Sequence, residues 1–286
     1  MQRSRLPQRR GPQSALTCAP PWRQSEEPSI DHPTHPSTAS PTTTGENRAT
    51  AGAALDWDSV DLVVFDVDGT LYDQRRLRLL MLRELLRDAW SSRSLATLRT
   101  LRSFREVREA LGDEPVDDFL EQQYARTAAL HGSSVQAVQL LVTDWMEQRP
   151  LACIGSCVYR HVPALFESLH ARGKQVAVFS DYPARDKIQA LGLRAAPIVC
   201  ATDAEVARLK PDPRGLLAIL ARCDVSPQRA LMIGDRFDRD AAAARRAGVR
   251  ALIRSRQPHP DFATFRTYGD PVFAPLLGGA VRAAAA

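Results

Sequence analysis

No stretch of this chain approaches the roughly 20 apolar residues that a membrane-crossing helix requires; its longest apolar runs are as short as Leu62-Val63-Val64-Phe65. A transmembrane helix is excluded and no membrane partner is expected. Cysteine is sparse: the five, at positions 18, 153, 157, 200 and 223, include no CxxC pair, the nearest spacing being Cys153 to Cys157. That argues against a zinc site and for free thiols in a reducing compartment. The N-terminus has arginines but no continuous apolar stretch after them, so no secretory signal is expected. A soluble, cytoplasmic protein is the expectation. No repeat recurs at a fixed period.

What is present fits an ordinary globular chain. The 286 residues are 44% hydrophobic, with room for one domain or two, and the net charge of +5 allows an acidic partner. A phosphorylated small molecule meets that condition as well as nucleic acid does. Residues 1–54 are rich in Pro, Ser, Thr, Arg and Gln without helical or strand period, and read as a disordered tail. Glu26, Glu27, Asp31 and Glu46 dilute its basic charge, which weakens the case for a nucleic-acid or membrane tether.

From residue 60 the texture changes. Val60 to Asp66 is a β-rich run ending in acidic and glycine residues, as a buried parallel strand does. Similar runs recur at Gln175–Ser180, Pro197–Cys200, Ala230–Gly234 and Val249–Ile253, predicting five strands. Helical patterns lie between them, such as Val162, Leu165, Phe166 and Leu169 before Gly173. Strand alternating with helix predicts an α/β fold with a Rossmann-like, doubly wound parallel sheet. One interval breaks the alternation: residues 75–159 have only helical periodicity, through Leu77, Met81, Leu85, Tyr124, Val135 and Trp145. The predicted organisation is a core of residues 55–74 and 160–286 with an all-helical cap inserted at 75–159.

In open α/β sheets a ligand sits beyond the carboxyl ends of the strands, so polar residues just after each apolar run converge. Strand one delivers Asp66 and Asp68, the second Ser180 and Asp181, and the fourth Asp235, while Lys210 follows the third. An Asp-Gly turn alone would explain Asp68-Gly69, a helix-capping hydroxyl would explain Ser180, and a solvated loop lysine would explain Lys210. Only their combination argues for a site.

The runs DVDGTL at 66–71, Ser180-Asp181, Lys210-Pro211 and GDRFDRD at 234–240 resemble, in order and spacing, the four motifs of the haloacid dehalogenase superfamily. The resemblance covers residues 60–255 and implies a phosphohydrolase with a mobile cap. A carboxylate nucleophile splits phosphoester hydrolysis into two steps, which suits Asp66. Two residues on, Asp68 points to the same side of an extended segment and suits general acid/base work. A hard divalent cation has to bridge nucleophile and phosphate, so Mg2+ is expected on Asp66 and Asp235. The family pattern adds the Asp68 carbonyl. Gly69, Thr70, Ser180, Asp181 and Lys210 are expected around the phosphate. Asp240 resembles the family's supporting acid, in preference to Asp238.

The expected substrate is a small phosphorylated metabolite, with no nucleic acid and an undetermined oligomeric state. A dehalogenase is disfavoured because the acid Asp68 is present. A phosphonate hydrolase would need a cap lysine, and no lysine lies between Asp66 and Lys174. A phosphomutase on the same core stays open, as does a non-catalytic scaffold whose basic cap binds a partner. The arginines at 75, 76, 78, 83 and 87 read first as a solvated helix face.

Overall fold

The short β-branched and aromatic runs become strands where the pattern places them: β1 Leu62–Phe65, β2 Gln175–Ser180, β3 Ile198–Cys200, β4 Ala230–Gly234 and β5 Arg250–Arg254. A sixth, β6 Ala263–Phe265, completes the sheet. Its three residues include only one deeply buried side chain, Phe265, so it has no apolar run by which to announce itself. The structure is a computed structural model, which describes residues 55–283 apart from 115 and 117. The expected disordered tail lies outside the described residues.

All six strands are parallel, in the order β3-β2-β1-β4-β5-β6. β1 and β4 are adjacent although the chain reaches the β3 edge between them, so the order reverses there. Such a switch point opens a crevice at the strands' carboxyl ends, where Asp66 follows β1 and Asp235 follows β4.

The helices are α1 Gln74–Ser92, α2 Ala96–Asp113, α3 Phe119–His131, α4 Val135–Val142, α5 Leu151–Ile154, α6 Val162–Ala171, α7 Arg185–Ala190, α8 Arg214–Cys223, α9 Ala242–Arg246 and α10 Ala274–Ala283. Alternate β1 residues face opposite layers. Val63 and Phe65 join a core that includes Phe166, Leu169 and Phe273; Leu62 and Val64 join one containing Phe179, Leu216, Ile219 and Ala243. Each fully buried side chain of this kind contributes about 1.5–3 kcal/mol relative to exposure.

Everything from α1 to α5 lies between β1 and β2 in the chain. α1 begins where the Asp73 carboxylate accepts from the Arg75 and Arg76 N–H groups at 2.9 and 3.1 Å. It buries Leu77, Met81 and Leu85 on one stripe and exposes Arg75, Arg76, Arg83 and Arg87, as expected of a solvated face. The two ends of the insertion are tied together. Tyr72 forms an antiparallel bridge with Val158, Asp73 N–H donates to the Cys157 carbonyl at 2.8 Å, and Tyr159 N–H donates to the Leu71 carbonyl at 3.1 Å.

Candidate active site

A cavity of about 410 Å³ opens at the carboxyl ends of β1 and β4. Of the expected site residues, Asp66, Asp68, Asp181, Lys210, Asp235 and Asp240 line it, joined by residues from α1, α2 and the Thr143–Gln148 turn. Gly69, Thr70 and Ser180 are not among the residues that line it.

Asp66 is held on both oxygens. Oδ1 accepts from Lys210 Nζ at 2.6 Å and Oδ2 accepts from the Thr70 hydroxyl at 2.9 Å. Lys210 is itself saturated, donating also to Asp240 Oδ1 at 2.7 Å and to the Phe179 carbonyl at 3.3 Å. An ammonium has three N–H groups, so in this arrangement Lys210 fixes the carboxylate of Asp66. The loop carrying it is anchored by the Lys210 N–H, which donates to Asp181 Oδ1 at 2.9 Å. Ser180 Oγ accepts from the Tyr182 N–H at 3.2 Å, which leaves its own proton to donate.

Asp240 reaches Lys210 because the chain widens after β4. In the Phe237–Ala241 turn the Ala241 N–H bonds back five residues, to the Arg236 carbonyl at 3.2 Å. Such wide turns recur at functional sites. This one lets Asp240 Oδ2 accept from the Asp235 and Arg236 N–H groups, both at 3.0 Å. Gly234 leaves the space: a Cβ there would collide with the Asp240 side chain. Asp238 turns outward instead and pairs with Arg236 at 2.7 Å.

The Asp235 carboxylate projects beside Gly69. Gly69 has φ +94°, which L side chains rarely adopt, and a Cβ would run into that carboxylate. Burial, with the nearby Asp240 charge adding to it, pushes the Asp235 carboxyl up to about 7. Burial likewise raises Asp66 well above the usual carboxylate range, against the pull of Lys210, with Asp240 and Asp235 adding to the rise. Oxygens of Asp66, Asp235 and Asp240 all lie within 4.8 Å of one another. Three carboxylates thus face a single ammonium in a buried site. Asp240 is spent on Lys210 and two backbone N–H groups, which leaves Asp66 and Asp235 as hard oxygen donors whose excess charge fits a divalent cation such as Mg2+.

Asp68 has partners that sequence reasoning missed. Lys187 Nζ donates to its two oxygens at 2.7 and 2.8 Å, and the Tyr72 hydroxyl donates to Oδ1. Burial alone would raise Asp68, but the Lys187 charge and these hydrogen bonds hold it below the usual carboxylate range. The sequence signal for Lys187 was compositional. The chain has 35 arginines and three lysines, Lys174, Lys187 and Lys210, so each lysine departs from its habit. Arg108 was missed too: it donates to the Asp181 carbonyl and to Gln123 Oε1 and lies 4.0 Å over the Tyr182 ring, which clamps α2 to the β2 loop.

The match to known proteins agrees with this geometry. The model of the haloacid dehalogenase-like hydrolases matches residues 60–248. A phosphoglycolate phosphatase from Rhodospirillum rubrum is 32% identical over 231 residues, which cover 76% of this chain and 92% of that protein. Two solved structures share the fold. The HAD phosphatase of Thermococcus onnurineus has a TM-score of 0.53 at 23% identity, over 77% of this chain and 99% of that one. The 2-haloacid dehalogenase of Pseudomonas syringae has a TM-score of 0.51 at 24% identity, over 79% and 100%. The chain belongs to the haloacid dehalogenase-like hydrolases. Within them it is a hydrolase of the phosphatase type.

Proposed function

We propose that this protein hydrolyses a small phosphate monoester through a phosphorylated Asp66. The observation that carries the reading is the Asp66 carboxylate, buried, aimed by Lys210 and Thr70, and sharing one cavity with Asp68 and Asp235. In the first step Asp66 forms a bond to phosphorus as the ester oxygen leaves, and Asp68 in its protonated form, a fraction that the Lys187 ion pair keeps small, gives that oxygen a proton. Lys187 and Tyr72 then receive the charge left on Asp68. In the second step Asp68 takes a proton from water as the water oxygen attacks the aspartyl-phosphate. Inorganic phosphate departs and Asp66 is restored.

Asp66 and Asp235, with the Asp68 carbonyl, would hold Mg2+, which when bound supplies positive charge for the phosphoryl oxygens. Ser180 Oγ, whose proton is uncommitted, and the Gly69 N–H are the proposed phosphate donors, while the Thr70 N–H is spent on the Val67 carbonyl at 3.3 Å. Asp181 and Asp240 position Lys210. The helices of residues 75–159, α1 to α5, act as a cap that selects the substrate and excludes water, in a cytoplasmic enzyme.

The relative from Rhodospirillum rubrum makes phosphoglycolate the first substrate to try. The test is Mg2+-dependent release of inorganic phosphate from phosphoglycolate and from a generic aryl phosphate. Release by the wild type that Asp66→Asn abolishes supports the reading; equal release by the variant overturns the nucleophile. Transfer of the phosphoryl group to a second sugar hydroxyl, with no free phosphate, would identify a mutase.

A further inference from the structure

The acidic residues of the phosphoryl end share the cavity with an apolar wall formed by Leu77, Met81 and Leu85 of α1 and by Trp145 and Met146. Seven cationic side chains line the whole, and five of them are committed. Lys210 serves Asp66 and Asp240, Lys187 serves Asp68, and Arg108 serves Gln123 and the Asp181 carbonyl. Arg236 pairs with Glu109 and Asp238, and Arg239 with Asp113 at 2.9 Å.

The two that remain are Arg78 on α1 and Arg105 on α2. Neither makes a hydrogen bond or ion pair with any described residue, and both are accessible from solvent. They are close enough to feel each other. Loss of hydration around the Arg105 head lowers its hold on its proton, and the Arg78 charge adds to that effect. Arg78 acts on the Tyr72 hydroxyl and Arg105 on Asp68, so both lie within electrostatic reach of the phosphoryl end. Two like charges from neighbouring helices, given no counter-ion by the protein, form a receptor for an anion. Guanidinium suits carboxylate and phosphate oxygens equally well.

We propose that the substrate is a phosphomonoester that also carries a second anionic group, a carboxylate or a phosphate, and an apolar portion. Arg78 and Arg105 receive that anion, and the apolar portion packs on Leu77 and Met81. The proposal rests on the reading of Asp66 as the phosphoryl site. It goes beyond phosphoglycolate, whose two carbons offer no apolar segment for that wall.

The test uses the full-length, Mg2+-loaded protein and three phosphonates that cannot be hydrolysed: benzylphosphonate, 4-carboxybenzylphosphonate and 4-phosphonobenzylphosphonate, titrated by calorimetry. The expected result is that at least one of the last two binds on the order of tenfold tighter than benzylphosphonate. The stronger of the two identifies the anion. That advantage is expected to collapse in the double variant Arg78→Gln, Arg105→Gln and to persist in Arg75→Gln, Arg76→Gln on the exposed side of α1. Equal affinities for all three ligands in the wild type, or an advantage that survives loss of Arg78 and Arg105, overturn the subsite and leave the phosphoryl site standing. If none of the three binds, the phosphoryl site itself falls, and the proposal with it.

Discussion

At the residue scale, the site is a set of charges whose values depend on their partners. Removing the Asp66 carboxylate charge is expected to cost on the order of 10⁶-fold in kcat, as for other covalent nucleophiles, measured as phosphate release by Asp66→Asn. Lys187 gives a pH-dependent prediction. Without its ammonium, burial dominates Asp68 and raises it, so in Lys187→Met the limb of the pH–rate profile that reports Asp68 moves to higher pH. The wild-type ion pair also affects stability. A lowered carboxyl stabilises the fold above its unfolded value, about 3.9, and that contribution is lost as pH falls through the lower folded value. Acid titration of the melting temperature should therefore show a steeper loss below about pH 4 in the wild type than in Lys187→Met. Asp66, Asp68, Lys210, Asp235 and Asp240 were legible in sequence because each sits at a fixed offset from a strand run or motif. Lys187 and Tyr72 were not. Lys187 comes from the first turn of a helix whose pattern says only that it is a helix, and what it touches lies 119 residues away.

At the element scale, two backbone features aim the acidic groups. The wide turn after β4 brings Asp240 to Lys210, and Gly234 gives it room. Gly234→Ala is expected to push Asp240 off Lys210 and destabilise the fold by about 1–3 kcal/mol, the usual cost of overpacking, with a larger proportional loss of kcat than of folded protein. Denaturant melts and kinetics on the same preparation check both parts. The strand pattern foretold five elements, because a parallel strand buried on both faces is a continuous apolar run. It missed β6, an edge strand of three residues with one buried side chain. The turn at Phe237–Ala241 was also hidden: DRFDRD reads as the start of an ordinary helix, and no residue pattern marks the bond from the Ala241 N–H back to the Arg236 carbonyl.

At the scale of the whole molecule, the ends of the described chain close on each other. The Trp57 indole N–H donates to the Val272 carbonyl at 2.6 Å, its ring lies 6.0 Å from that of Phe273, and Lys174 Nζ donates to the Trp57 and Val60 carbonyls. The Tyr268 hydroxyl donates to the Thr70 carbonyl at 3.0 Å, which links this C-terminal region to the loop that follows β1. Trp57→Ala, at a buried site, is expected to cost about 3–5 kcal/mol, read from a denaturant melt. Mg2+ bound at Asp66 and Asp235 as proposed would stabilise the whole fold too, by about 2.7 kcal/mol at a hundred times its Kd. With Asp235 pushed up to about 7, a proton competes for that carboxylate, so the rise in melting temperature on adding Mg2+ should shrink as pH falls below 7. An equal rise at pH 5.5 and pH 8 would contradict the assignment of Asp235. The amino-acid order alone determined the α/β alternation and the placing of Asp66, Asp68 and Asp235 at the strand ends, because burial pattern and turn chemistry are local. Which cations pair with which acids, and which two arginines are left over to face the cavity, were decided only by the tertiary structure, because Coulomb attraction and desolvation depend on distances between residues far apart in the chain.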